Sequence, residues 1–364
     1  MLKQRIQTLD GLRFLAAMGV LWIHNWIAFR TPRCYVGKID IADFLALGAN
    51  GVDLFFVISG FCMYYFYGTK SDFSYESFAR FIKKRWLRLS PAFYAATVIY
   101  IIVGKYVYHY PFSLVFNFLH SVFYLNYIGG QYNTARHFWT LTVEWQFYFI
   151  IPFLLIYQNK IGFKRSFTII FGAVCMVTIA TILFLKVGSD FLTYTLLFRV
   201  TEFACGVLAA RLLLHKDIKL KYRALWLMGF ILVTYCGRVM ISAKVLSLSV
   251  EYCNLYKIIG YASMGVGFAG MLYLAVTSAQ WLANLLGNSM FKTMGRISYS
   301  FYLFHVLIFP PIVVFVQTYL HSFTGIAAPM ISTLISAIIL YPVSMLSFHF
   351  LEKPFLSVGN LTTK

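Results

Sequence analysis

Residues 9–26 read LDGLRFLAAMGVLWIHNW, an apolar run interrupted by Arg13 and His24, which stand eleven positions apart. At about 100° and 1.5 Å per residue, that spacing returns to one helix face and separates the two side chains by roughly 16 Å. The run lacks a small-residue cleavage site and is followed by further apolar stretches, so it predicts a retained membrane helix rather than a signal peptide. A lone imidazole inside a bilayer is costly, and it marks a functional site by default.

The rest of the chain extends that reading. Its 364 residues are 60% hydrophobic and 12% charged, whereas soluble domains carry about 25% charged residues. Mean hydropathy is +0.73. Ten apolar stretches occur near 11–30, 48–67, 89–108, 139–157, 167–186, 192–211, 223–241, 256–277, 297–319 and 327–350. Each is close to the roughly 20 residues that a crossing helix needs. They predict an all-α polytopic bundle of about ten transmembrane helices, forming a single domain over 1–364. Residues 112–128, FSLVFNFLHSVFYLNYI, are also apolar, but short, aromatic and punctuated by Asn and His. They predict a re-entrant or interfacial segment.

Charge supports that topology. With the N-terminus inside, 21 of the 31 Lys and Arg fall on inner segments, which predicts cytoplasmic termini. Counting 112–128 as a span would put the Lys160 and Lys216 clusters outside. The net charge of +19 is spread between apolar spans, which fits anionic lipid heads and argues against nucleic acid. The six cysteines form no CxxC pair, which argues against a metal site. Cys236 and Cys253 flank a predicted outer loop, where a disulfide stays open. No soluble domain, long linker or internal repeat is legible, and the chain is expected to act through its membrane domain alone.

Several polar residues carry candidate chemistry. His24 is either a packing histidine bonded to a backbone carbonyl or a general base near neutral pH; an acyl-imidazole intermediate is a third reading. Asp53 and Glu144 fall near the outer ends of the second and fourth spans. They could share a layer with His24 and fix its tautomer, or stabilise their own helix termini. Arg85 and Arg88, three apart, share a helix face at the inner end of the third span. Guanidinium forks suit phosphate oxygens; juxtamembrane anchoring is the alternative. His305, with Tyr299 and Tyr302, either lines a tunnel or packs in the core. Arg199 and Glu202, three apart, predict an internal ion pair. The 105–138 segment, with His109, His120, Arg136 and His137, is either an acceptor-facing rim or an interfacial belt.

Six blocks then appear in one order: LDGLRFLAAMGVLWIHNW, GANGVDLFFVISGFCMYY, RFIKKRWLRLSPAFY, FWTLTVEWQFYFIIPFL, GRISYSFYLFHVLI and LEKPF. Together, over roughly 5–355, they resemble the acyltransferase 3 family of integral-membrane acyltransferases. The resemblance implies a bacterial inner-membrane O-acetyltransferase. Its co-substrate would be cytoplasmic acetyl-CoA, with no permanently bound cofactor. Its acceptor would be a surface glycan hydroxyl, of lipopolysaccharide O-antigen, capsule or exopolysaccharide. Arg13 and His24 match the family's basic-residue, ten-residue, histidine spacing. Arg85 and Arg88 match its RxxR motif, implicated in holding the CoA phosphates, and Arg13 is expected to join them. Trp145 stands where an acid commonly follows the glutamate, which leaves Glu144 as the sole acid there. An appended hydrolase-like domain, present in some relatives, is not legible, so direct transfer to the final acceptor is expected. The rival class is a transporter or flippase of an anionic or lipid-linked substrate, with His, Asp and Glu as relay groups.

Overall fold

All ten apolar runs become helices because each must satisfy its backbone internally where water is absent. The computed structural model describes residues 6–37, 39–69, 73–109, 113–126, 135–184, 192–215, 218, 220–242, 253–277 and 280–356. Helix α1 is Thr8–Ala28. A hairpin of two-residue strands, β1 (Tyr35–Val36) and β2 (Ile39–Asp40), and a short α2 (Ala42–Leu45) lead into α3 (Gly51–Tyr67). Then come α4 (Tyr75–Tyr106), α5 (Leu114–Val122), α6 (Trp139–Ile161), α7 (Phe163–Phe184) and α8 (Leu196–His215). The last are α9 (Arg223–Met240), α10 (Cys253–Val276), the short α11 (Gln280–Leu286), α12 (Ser289–Tyr319) and α13 (Ala327–Ser347).

Among the described residues, eight helical segments are long and apolar enough to cross a membrane. The two expected spans outside that set are α1 and α8, at 21 and 20 residues. Their length suffices; their polar content sets them apart. Helix α1 carries Arg13, His24 and Asn25, and α8 carries Arg199, Glu202 and Arg211. Helix α5 has nine residues, about 13 Å of rise against a hydrocarbon core of roughly 30 Å, so as a helix it cannot span. It ends at Val122, and Tyr124, two residues on, has a φ of 56° that no helix continues through. Gly162 (φ 82°) separates α6 from α7 with a backbone angle that side chains disfavour. The carboxamide of Asn288 accepts the Phe291 amide at 2.8 Å and fixes the start of α12.

The described residues form two units. The first takes those of Asp53–Trp86 and His120–Ala279. There α6 packs on α7 and α8, and α10 packs on α8 and α9. Its centre is aromatic: Phe203 stacks on Phe56 (4.8 Å) and on Phe147 (4.2 Å). Close approach of α3 and α8 rests on two glycines. A Cβ on Gly60 would overlap the Phe203 carbonyl, and one on Gly206 would overlap the Val57 carbonyl. Gly206→Val is therefore expected to cost about 1–3 kcal/mol by overpacking. A lower thermal midpoint in detergent checks this, against Gly172→Val, where a Cβ meets nothing within 4 Å.

The second unit takes the described residues of Ile6–Val52, Leu87–Leu119 and Gln280–Lys364. Helix α1 packs along α12 and α13. Gly11 abuts Leu286, and Gly295 abuts the Asp10 carbonyl, so α1 and α12 meet at their N-terminal ends. Higher up, Ser332 donates to the Asn25 carboxamide oxygen at 2.5 Å, tying α13 to α1. These helices lie side by side along α1, which fixes the neighbours that the His24 ring can have.

Candidate active site

Helix α1 does hold Arg13 and His24 on one unbroken stretch. His24 is half-buried, and its Nδ1 lies 2.8 Å from the Val20 carbonyl oxygen. A carbonyl only accepts, so Nδ1–H is the donor and the lone pair of the neutral ring sits on Nε2. The His305 ring packs against it edge-on, with centroids 4.9 Å apart and planes at 70°. Phe309 closes another side at 5.6 Å. His305 is buried and repeats the pattern, its Nδ1–H donating to the Tyr302 carbonyl at 2.6 Å. The backbone bond of the packing reading is thus present, and it leaves Nε2 as the acceptor atom of the neutral ring.

Around that pair the second unit places other expected residues. The Tyr302 ring lies 5.4 Å from His305. Tyr299 donates to the Leu89 carbonyl at 2.8 Å, which holds α12 to α4. Arg13 pairs at 3.5 Å with Asp10, in the first turn of α1. Arg88 lies within electrostatic reach of the buried Glu352, whose carboxylate accepts from the Ser300 hydroxyl. Ser300 in turn lies 2.7 Å from the Ser347 hydroxyl. The LEKPF block therefore carries a functional candidate, Glu352, that residue spacing alone does not reveal.

The first unit assembles a second cluster. The sequence places Arg85 in a cluster that opens the third span, but helix α4 begins at Tyr75, and Arg85 lies ten residues in, about 15 Å along the axis. The amphipathic stretch 75–88 extends the helix below the apolar run. There Arg85 bonds the Tyr67 hydroxyl at 3.4 Å and faces the rings of Phe81 (5.7 Å) and Tyr148 (6.0 Å). Its Nε is buried and has no hydrogen-bond partner among the described residues. Tyr148 donates to Glu144 Oε1 at 2.5 Å, and Ser59 donates to the same oxygen at 2.9 Å. Glu144 and Tyr148 are four apart, one face of α6. That spacing is the signal in the sequence that marks Tyr148 as a site residue.

Asp53 takes a different partner. It sits in the first turn of α3, and Arg199 Nη1 bonds its carboxylate at 2.5 Å. The same nitrogen reaches Glu202 at 3.2 Å. The expected Arg199–Glu202 pair is thus present, with Asp53 as a third member. All three side chains are at most 7% exposed. The Tyr261 ring covers the guanidinium at 3.7 Å. His137, a candidate for an acceptor rim, is buried beside Phe138. Cys236 and Cys253 are free thiols, so no disulfide joins them.

The chain has recognisable relatives. A family model described as an acyltransferase domain matches residues 6–349. A Staphylococcus aureus (strain COL) protein named "Putative O-acetyltransferase" is 24% identical, over 97% of this chain and 58% of its own length. "Putative peptidoglycan O-acetyltransferase YrhL" of Bacillus subtilis (strain 168) is 24% identical, over 97% of this chain and 55% of its own. "Nodulation protein 10" of Rhizobium leguminosarum bv. viciae is 28% identical, over 40% of this chain and 43% of its own. The chain thus spans somewhat over half the length of the two relatives that it matches end to end. No solved structure matches.

Proposed function

The chain belongs to the acyltransferase-domain family that matches its residues 6–349, and from that premise we propose that it moves an acetyl group from acetyl-CoA to a hydroxyl of a bacterial surface glycan. One observation carries the reading: the Val20 carbonyl holds His24 Nδ1–H, leaving Nε2 as the basic atom of a membrane-embedded imidazole.

The chemistry balances on that atom. His24 Nε2 takes the proton of the acceptor hydroxyl as its oxygen attacks the thioester carbonyl. The C–O bond forms, the C–S bond breaks, and the departing thiolate takes the proton back from the imidazolium. His305, packed edge-on, holds the ring in place, with Tyr302 and Tyr299 supporting the wall behind it. Arg13, Arg85 and Arg88 hold the donor phosphates. The buried Nε of Arg85 supports this role, as a donor with no protein acceptor among the described residues. Glu144 anchors Tyr148 beside that guanidinium. Asp53 serves the Arg199 network.

The phosphates bind from the cytoplasm, and the acetyl group leaves on the far side of the inner membrane. Arg13 and His24, roughly 16 Å apart along α1, suit a long donor whose head stays inside while its pantetheine arm reaches up. The acceptor is O-antigen, capsule, exopolysaccharide or, following the Bacillus relative's name, peptidoglycan. The direct test is mass analysis of surface glycan from cells with and without this protein, together with label transfer from radiolabelled acetyl-CoA in their membranes. An acetyl-sized increment, labelled and released as acetate by mild base, is expected. Identical glycans and no base-labile label overturn the proposal.

A further inference from the structure

Beyond His24, toward the C-terminal ends of α1 and α12, the second unit contains a cavity of about 260 Å³. Phe29 at the end of α1, Val316 and Gln317 of α12, and the loop residues His321, Phe323 and Thr324 line it. Phe29 lies five residues past His24, and Val316 seven past Phe309, which packs on the His24 ring. Those steps put the cavity about 8–10 Å above the imidazole. Arg13 lies roughly 16 Å in the opposite direction on the same helix. His24 therefore stands between an arginine end and a cavity end.

The lining suits an uncharged, hydroxyl-rich ligand. Among the residues that line the cavity, none is a carboxylate, guanidinium or ammonium. A phosphate-bearing donor head finds no counter-charge in that lining. Phe323 is 45% exposed, whereas Val316 is 1% exposed, so the lining offers both an open aromatic ring and a buried apolar wall. A sugar ring places its C–H face on such a surface. Hydrogen-bonding groups line the same cavity: the Gln317 carboxamide, the Thr324 hydroxyl and the His321 imidazole. His321 turns Nδ1–H toward the Thr318 carbonyl at 3.4 Å, which leaves Nε2 to accept from a hydroxyl. The loop that presents these groups is shaped by Gly325, at φ 57°, and by the Ala327 amide bonding the Thr324 carbonyl at 3.2 Å. The volume lies just below the usual 300–1,000 Å³ of small-ligand sites, the scale of a single sugar unit.

The geometry points to this cavity as the acceptor subsite, where a neutral sugar of the glycan seats with a neighbouring hydroxyl turned down to His24 Nε2. This rests on the acetyl-transfer reading above. Phe323→Ala and Gln317→Ala test it, each in the full chain. Both side chains are exposed, so the fold is expected to hold. Glycan-bound acetate is measured in cells, and acetyl-CoA affinity on the purified protein in lipid nanodiscs. Acetate per glycan is expected to fall about tenfold, the loss of one good contact, with acetyl-CoA affinity unchanged. Phe323→Trp, which keeps an aromatic face, retains transfer. Wild-type acetylation in both alanine variants removes the cavity from the reaction while leaving acetyl transfer intact. A fall shared equally by acetyl-CoA affinity also removes it, since the cavity would then serve the donor or the fold. If the wild-type protein adds no acetate, the acetyl-transfer reading itself has failed.

Discussion

Replacing His24 with alanine lowers acetyl transfer by about 10²–10⁴-fold, the range that a positioned general base contributes, and leaves acetyl-CoA affinity near wild type. The separation follows from where the polar groups stand on α1. The donor's phosphates are assigned to Arg13, Arg85 and Arg88, and His24 lies roughly 16 Å from Arg13. Its removal takes away a proton acceptor and leaves the anion site untouched. The ring is half-buried and makes one backbone bond, to a carbonyl that already belongs to the helix, so the stability cost is small. His24→Gln, which restores bulk without an acceptor nitrogen of comparable basicity, is equally inactive. His305→Ala loses less, about tenfold, because it removes packing at 4.9 Å rather than the base. The measurements are label transfer from acetyl-CoA and acetyl-CoA binding on the same preparations. Transfer within a few-fold of wild type in His24→Ala would remove this residue from the chemistry.

That prediction uses what is most legible in the sequence. Along one helix, position converts to depth and to face by a fixed rise and rotation. The Arg13-to-His24 relation therefore follows from residue spacing alone. Across helices the sequence is silent. Asp53 and Arg199 are 146 residues apart and meet at 2.5 Å, and nothing in the spacing of either predicts it. Topology puts Asp53 and His24 near outer helix ends, which suggests a carboxylate–imidazole pair, yet the carboxylate turns to a guanidinium. Arg85 shows a different failure. Hydropathy marks where a chain is apolar, not where a helix begins, and α4 starts at Tyr75, well before the apolar run. Arg85 thus lies inside the helix, beside Tyr148, rather than at its mouth. The Tyr148–Glu144 bond is legible as an i, i+4 pair, but its meaning depends on Arg85 standing opposite.

The Arg199 network yields the second large effect. Arg199→Met removes the guanidinium that Asp53 and Glu202 share, while both carboxylates stay buried, at 4% and 0% exposure. Breaking a buried ion pair from one side costs about 3–5 kcal/mol, so this variant is expected to melt far below wild type or to be lost from membranes. The aromatic cover compounds the cost, because the cation over the Tyr261 face is removed with the charge. Removing all three charges together should not do the same. Arg199→Met with Asp53→Leu and Glu202→Leu replaces a desolvated network by apolar volume, a change that is often neutral or stabilising by about 1–4 kcal/mol. The triple variant is expected to regain wild-type thermal stability in detergent. Its acetyl transfer then separates two roles for Asp53. If Asp53 acts only by holding α3 to α8 through Arg199, transfer returns with stability, to within about tenfold of wild type. That is the expected result, since the carboxylate is already engaged by a guanidinium at 2.5 Å. A triple variant that is stable but inactive would instead give the Asp53 carboxylate a part in the chemistry beyond its bond to Arg199.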